Sequence, residues 1–141
     1  MKKAFLFLAL CLLGAGRAAA AEPVDSVRNV IYMIGDGMGL AHVSMLAVEG
    51  GYAPTAFDRA QGIALISTYS ANNRVTDSAA AGTALACGSK TNNGTLGLDP
   101  RGGRLQSVIE WAVAEGMPAG IAVKCHLQHA TPAAFYAHVP D

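Results

Sequence analysis

Residues 30–39 read VIYMIGDGMG, a continuous apolar run followed by three glycines in five residues. Apolar residues without alternation are typical of a strand that is buried on both faces of a parallel sheet. The glycines permit positive φ and close backbone approach, so we expect the strand to end in a tight turn. Asp36 lies in that turn, and ligands of open parallel sheets bind beyond the carboxyl ends of strands. The sequence therefore predicts a functional site around Asp36.

The rest of the chain alternates strand-like and helix-like segments. Strands are predicted at 27–34, 63–70 and 119–123, and helices at 40–48, 78–86 and 104–115, with a further helix over 133–138. The segment 91–103 is rich in Gly, Asn, Asp and Pro and predicts an irregular loop. This order predicts an α/β fold with a mainly parallel central sheet.

The first 21 residues have the features of a secretory signal peptide. Two lysines precede an apolar run at 4–14, and three alanines at 18–20 form a small-residue cleavage site. That run is too short for a bilayer, which takes about 20 residues. We therefore expect export to the periplasm or the medium, and no membrane span. Cleavage leaves 22–141, within the usual size of one domain.

Charge and cysteine content exclude two further classes of protein. The chain has 10 basic and 10 acidic residues, and three of the basic ones lie in the signal peptide. The remaining net charge of −3 argues against a nucleic-acid binder, which would carry a basic patch. Outside the leader only Cys87 and Cys125 remain, too few for a disulfide framework. We expect both to be buried free thiols.

Asp36 admits three interpretations. A dinucleotide-binding turn requires glycine where this chain has Leu40, and a carboxylate there would repel a pyrophosphate. A carboxylate on an uncrowded turn is also suited to a metal ion, because its oxygens are ligands for both Mg²⁺ and Zn²⁺. The third interpretation is a helix-capping Asp. The residues alone leave the metal and cap interpretations open.

The segment VTDSAAAGT at 75–83 places Ser78 at a predicted helix start. The small residues after it let a ligand approach closely, and a helix N-terminus favours an anion. Serine is a weak nucleophile unless a base or a metal takes its proton, and a metal held by Asp36 would serve. The alternative is that one of residues 76–78 is an ordinary helix cap.

Four segments, in order, resemble the alkaline phosphatase family. Residues 75–83 satisfy its active-site pattern, which is Ile or Val, any residue, Asp-Ser, three small residues, Gly or Ala, and Thr. MIGDGMG at 33–39 resembles the first metal-binding segment, KTNNGTLG at 90–97 the loop after the nucleophile helix, and QHATPAA at 128–134 the magnesium-site segment. The resemblance implies a three-layer α/β fold with helices on both faces of the sheet. It makes 22–141 the N-terminal part of a single catalytic domain, with the sheet incomplete in this chain.

The resemblance also implies roles for five residues. Ser78 matches the nucleophile that becomes a phosphoserine, and Asp36 matches the carboxylate shared between one zinc and the magnesium. Thr131 matches a hydroxyl ligand of the magnesium, and Asp77 matches the acidic neighbour that orients a substrate-clamping Arg. His129 stands in the magnesium segment where many bacterial members have Asp and the animal enzymes have His. Because it removes a hard anionic oxygen, we expect it to act through a bound water.

The activity implied is metal-dependent hydrolysis of phosphate monoesters, with two Zn²⁺ and one Mg²⁺, in a protein whose family is often dimeric. The alternatives are a related phosphodiesterase or sulfatase, or an inactive fragment or phosphate-binding module. The remaining zinc ligands and the clamping Arg are expected beyond residue 141. His126 and His138 match no metal position, and we expect them to be exposed or hydrogen-bonded within the fold.

Overall fold

The computed structural model describes residues 28–140. The chain divides into two compact units, Met1–Met33 and Ile34–Asp141, and of the first only residues 28–33 are described. The signal peptide predicted at 1–21 and the start of the first predicted strand lie outside the described residues. Within residues 28–140, no helix is both long enough and apolar enough to cross a membrane.

Helix α1, Leu40–Glu49, follows the glycine turn and is one residue longer than predicted. Its N-cap is Gly39, whose N–H donates to Nδ1 of His42 at 3.2 Å. The helix ends at Gly50, and a short 3₁₀ turn, Phe57–Arg59, follows. Glycines thus delimit α1 at both ends, as the sequence predicted.

Helix α2, Ser78–Cys87, also matches its prediction to within one residue. The carboxylate of Asp77 caps it by accepting the Ala80 N–H at 2.8 Å. Gly88 ends it with a φ of 68°, in the left-handed region that favours a residue without Cβ. Its buried positions are small residues, which let other segments pack against the helix backbone: Ala79, Ala80, Gly82, Thr83 and Ala86.

Helix α3, Val108–Ala114, begins four residues later than the predicted start at 104. Ser107 and Glu110 form a capping box, in which each side chain accepts the other residue's backbone N–H. This reciprocal cap fixes the first turn at Ser107, so the preceding residues stay outside the helix. A positive φ of 77° at Gly116 follows the end of the helix.

Helix α4, Ala130–Ala133, corrects the prediction of a helix over 133–138. The helix starts after the N-cap His129, and Pro132 lies inside its first turn rather than before it. Proline is tolerated there because the first-turn N–H groups have no partner within the helix. Residues after Ala133 continue as hydrogen-bonded turns.

The predicted parallel sheet is not formed within residues 28–140. The segments predicted as strands carry no strand assignment where they are described, and most of their large apolar side chains are exposed. Ile31 and Ile63 are each 87% exposed, whereas Ile121 is partly buried against the core. The pairings described are two isolated antiparallel bridges, Leu96 with Val139 and Leu98 with Arg104. A parallel strand takes its hydrogen bonds from strands distant in sequence, so an apolar run does not by itself form a ladder.

A small core forms instead between α2, α3 and α4. Ala86, Ala134 and Phe135 are buried at its centre, and side chains from α3 and from the loop pack around them. Ser107 is fully buried and donates from Oγ to the Phe135 carbonyl at 2.6 Å. This contact ties the start of α3 to the segment after α4, and the core fixes where the N-termini of α2 and α4 lie.

Candidate active site

Asp36 lies in the glycine turn that precedes α1. The turn is closed by a hydrogen bond from the Met38 N–H to the Gly35 carbonyl at 3.0 Å. Gly37 has a φ of 68°, and a Cβ on Gly35 would come within 2.8 Å of the Met38 Cβ. The turn therefore needs both glycines, and the Asp36 carboxylate that it carries is exposed.

Two hydroxyl groups from separate helices converge on this carboxylate. Ser78, the first residue of α2, donates from Oγ to Asp36 Oδ1 at 3.4 Å. Thr131, in α4, donates from Oγ1 to Asp36 Oδ2 at 2.7 Å. The two hydroxyl residues are 42 and 95 positions from Asp36 in sequence. Three residues that the sequence selected from separate segments therefore lie together.

Asp77 uses both carboxylate oxygens on backbone N–H groups. Oδ1 accepts the Ala80 N–H at 2.8 Å, and Oδ2 accepts the Gly94 N–H at 2.6 Å. The first bond is the helix cap that the sequence left open as an alternative. The second fastens the loop at 91–103 beside the start of α2. Asp77 thus fixes the backbone that carries Ser78.

Asn93 also holds the backbone near Ser78, and the sequence patterns did not predict this role. Its side-chain amide donates to the Val75 carbonyl at 3.0 Å, and its backbone N–H donates to Asn72 Oδ1 at 3.0 Å. Together with the neighbouring bond from Gly94, these contacts hold the backbone that leads into Ser78. The resemblance of 90–97 to a family loop marked the segment, but no local pattern indicated which atoms it would hold.

His129 is not joined to the carboxylate cluster. Its ring stacks on His126 with centroids 6.0 Å apart and planes inclined by 8°, and its backbone N–H donates to the His126 carbonyl. Within residues 28–140, no hydrogen bond or ion pair links the His129 ring to Asp36 or Thr131. His126 and His138 behave as predicted, since His126 is exposed and Nε2 of His138 lies 2.8 Å from the Leu105 carbonyl oxygen.

Of the two cysteines in the described part of the chain, Cys87 is a poor rival nucleophile. Both are free thiols, but only Cys87 is partly buried, and Cys125 is exposed, which corrects the prediction that both are buried. Burial raises the pKa of the Cys87 thiol, and the negative charge of Glu110 raises it further. A raised pKa lowers the thiolate fraction, and the thiolate is the reactive form.

The cluster fits an oxygen-ligated cation on each side of Asp36. Adjacent oxygens on an octahedral Mg²⁺ are about 2.9 Å apart, and Asp36 Oδ2 lies 2.7 Å from Thr131 Oγ1. Two oxygens on a tetrahedral Zn²⁺ are about 3.4 Å apart, and Asp36 Oδ1 lies 3.4 Å from Ser78 Oγ. Over residues 28–140, however, no three His, Cys, Asp or Glu side chains converge on one point. The described residues therefore supply part of each ligand set.

Comparison with known proteins shows which family the chain resembles. A family model described as alkaline phosphatase matches residues 27–141. The chain is 42% identical to alkaline phosphatase 4 of Bacillus subtilis (strain 168) over 130 residues, which is 85% of this chain and 28% of that protein. It is 38% identical to alkaline phosphatase 4 of Drosophila melanogaster over 130 residues, 81% of this chain and 22% of that protein.

Solved structures give the same assignment. The cold-active alkaline phosphatase of Shewanella sp. matches with a TM-score of 0.71 and 40% identity, over 75% of this chain and 28% of that one. The alkaline phosphatase of the Antarctic bacterium TAB5 matches with a TM-score of 0.68 and 35% identity, over 74% of this chain and 30% of that one. The chain thus spans less than a third of the length of these relatives. It belongs to the alkaline phosphatase family, and its fold is alkaline-phosphatase-like.

Proposed function

We propose that the protein to which this chain belongs hydrolyses phosphate monoesters through a phosphoserine at Ser78, releasing inorganic phosphate and an alcohol. The observation that carries the proposal is the convergence of the Ser78 and Thr131 hydroxyls on the two oxygens of Asp36, at 3.4 and 2.7 Å. One carboxylate between two hydroxyls can serve two cations at once. The family to which the chain belongs supports the same activity.

Ser78 performs the covalent step. Its Oγ forms a bond to phosphorus as the bond to the alcohol oxygen breaks, the hydroxyl proton leaves to solvent, and the alcohol takes a proton from water. A water oxygen then forms a bond to phosphorus as the Oγ–phosphorus bond breaks, and a proton from that water restores the Ser78 hydroxyl. The phosphoryl group spreads its charge over three oxygens, and Ser78 stands at the N-terminus of α2, which favours negative charge.

Asp36 and Thr131 would hold the metal ions. Asp36 Oδ1 faces Ser78 and is assigned to a zinc ion, one of two, and Oδ2 with Thr131 is assigned to the magnesium ion. When bound, zinc lowers the pKa of a coordinated hydroxyl and offsets charge on the leaving oxygen, while magnesium fixes the carboxylate. The proposal requires further zinc ligands and a clamping Arg from outside residues 28–140.

His129 is proposed as a neighbour of the magnesium side that acts through a bound water. Variants of the TAB5 enzyme in which a histidine is replaced by aspartate or by glutamate have Mg bound in the M3 site. In this chain the His129 ring stacks on His126 instead of contacting Asp36. A water between the ring and the cation would bridge that separation.

Asp77 is proposed to support the substrate site from beside the nucleophile. Because both of its oxygens hold backbone N–H groups, its first task is to fix the start of α2. Orienting a substrate-clamping Arg would then use the outer lone pairs of the same carboxylate, since each oxygen can accept more than one hydrogen bond.

The proposal extends to the sheet, the domain, the export and the oligomeric state of the protein, and membership of the family supports it. The segments at 28–34, 63–70 and 119–123 become neighbouring strands of a mainly parallel sheet with helices on both faces. The chain is the N-terminal part of a single catalytic domain that is exported after removal of residues 1–21 and functions as a homodimer. Partners other than phosphate monoesters, such as nucleic acids, are not part of the proposal.

The test is to trap the covalent intermediate in the complete gene product. Ser78→Ala is expected to lose most turnover of a phosphate monoester, because no hydroxyl remains to accept the phosphoryl group. Acid quenching during turnover, followed by peptide mass spectrometry, should find phosphate on Ser78 in the parent only. Ser89→Ala removes the same atom beyond the other end of α2 and should leave both readouts unchanged. Parental turnover in Ser78→Ala would overturn the proposal, and faster hydrolysis of a phosphodiester or a sulfate ester would favour the alternatives.

A further inference from the structure

Gly82 lies where α2 packs against α4 and the residue that follows it. A Cβ built on this glycine would lie 2.9 Å from the Ala134 Cβ, 3.4 Å from the Thr131 carbonyl oxygen and 3.6 Å from the Thr131 Cα. Carbon atoms in ordinary contact are about 3.5–4.0 Å apart. Glycine is therefore the residue that permits this separation of the two helices.

The same contact sets the position of a site residue. Gly82 lies one helical turn after Ser78, and the atoms it faces include the backbone of Thr131, whose hydroxyl is 2.7 Å from Asp36. Ala134 is 1% exposed and lies in the buried core, so it has little room to move alone. An added methyl group at position 82 would push α4, and Thr131 with it, away from α2.

We propose that Gly82 is a positioning residue that tunes Mg²⁺ affinity by setting how closely Thr131 approaches Asp36. The proposal rests on the proposed role of Thr131 as a magnesium ligand. Relieving a 2.9 Å contact requires a shift of about 0.6 Å or more. Metal–oxygen distances tolerate only about 0.2 Å.

The test compares metal binding in Gly82→Ala with the parent in the complete gene product. Alanine is the better helix former, so α2 is retained. Magnesium is titrated calorimetrically into zinc-loaded, magnesium-free protein, and zinc is counted by elemental analysis. We expect the Mg²⁺ dissociation constant to rise about tenfold, the lower end of losses from residues that orient metal ligands, with zinc content unchanged.

Two further variants separate positioning from a general packing defect. Adding Ala134→Gly to Gly82→Ala removes the atom that the new methyl group meets. We expect the double variant to bind Mg²⁺ with a dissociation constant within about threefold of the parent's, compared with about tenfold for Gly82→Ala alone. Gly62→Ala, whose Cβ would meet nothing within 4 Å, is the matched control and should bind Mg²⁺ as the parent does. If Gly82→Ala does not fold, Ala134→Ser is measured in its place. This substitution adds one atom to the same contact from the residue that follows α4, and it should give the same selective loss of Mg²⁺ affinity.

Unchanged Mg²⁺ affinity in Gly82→Ala, a loss that Ala134→Gly fails to restore, or an equal loss of zinc would each overturn the proposal. Because magnesium binding is the readout, this result is independent of turnover. A selective and restorable loss of Mg²⁺ affinity would stand even if Ser78→Ala kept parental activity and the proposed phosphoserine mechanism failed.

Discussion

Replacing Asp36 with asparagine should separate the two sides of its carboxylate. Asparagine keeps one acceptor oxygen and replaces the other with an amide NH₂ group. The 2.7 Å contact with Thr131 has the length of a normal O–H···O bond, whereas the 3.4 Å contact with Ser78 is longer than one. We expect the amide oxygen to face Thr131 and the NH₂ group to face Ser78, whose hydroxyl can accept.

The consequence for activity follows from which oxygen is lost. An amide NH₂ is not a metal ligand, so the side of Asp36 that faces Ser78 can no longer bind zinc. A metal acting as a Lewis acid contributes several kcal/mol; a loss of about 3 kcal/mol is about a 150-fold fall in kcat, at 1.36 kcal/mol per factor of ten. Magnesium should be weakened less, because its side keeps an oxygen.

The assay is elemental analysis of zinc and magnesium in the purified complete gene product, together with kcat on a phosphate monoester. Asp58→Asn is the matched control, because the Asp58 carboxylate also accepts a threonine hydroxyl, that of Thr55 at 2.7 Å, but lies outside the cluster. If Asp36→Asn retained both metals and parental kcat, or lost magnesium while keeping zinc, the assignment of the two oxygens would be wrong.

Two further predictions concern the groups that support the site. Asp77→Ser keeps a helix cap but loses the bond to the Gly94 N–H, so its free energy of unfolding should fall by about 1.5–3 kcal/mol. Asp77→Ala also loses the cap and should fall by about 1 kcal/mol more. Denaturant unfolding of the metal-free protein measures both, and equal free energies of unfolding for the two variants would refute the double role of Asp77. The Ser107 backbone N–H, with Arg104 and His138, lowers the pKa of Glu110 below its ordinary value of 4.5. That carboxylate therefore stabilises the fold above pH 4.5, and the stability is lost as pH falls through the lowered pKa, so Glu110→Gln should flatten the acid side of a melting-temperature profile.

The helices could be predicted where their boundaries are encoded locally. Gly39 and Gly50 delimit α1, and Asp77 and Gly88 delimit α2, and both helices were predicted to within one residue. The start of α3 at Val108 could also have been predicted, because Ser107 and Glu110 have the spacing of a capping box. The strands could not, since apolar runs indicate burial but do not determine the partner that each strand pairs with.

The candidate site was predicted as a set of residues and not as a geometry. The resemblance to a family selected Asp36, Ser78 and Thr131, and in the structure the Ser78 and Thr131 hydroxyls each lie within 3.4 Å of an Asp36 carboxylate oxygen. The resemblance also predicted His129 on the magnesium side, whereas in the structure the His129 ring stacks on His126. Ring orientation depends on packing across the fold, which neither spacing nor residue type specifies.

The oxygen cluster does not depend on a formed sheet for two of its three members. Ser78 and Thr131 stand on α2 and α4, which pack directly against each other through the contact between Gly82 and Ala134. This contact is buried and made of small residues, so it permits little variation in the spacing of the two hydroxyls. Asp36, by contrast, is carried by a turn that follows a segment without a strand assignment. Pairing of that segment in a sheet would therefore act on the site mainly by fixing the carboxylate against a pair of hydroxyls whose spacing the helices already set.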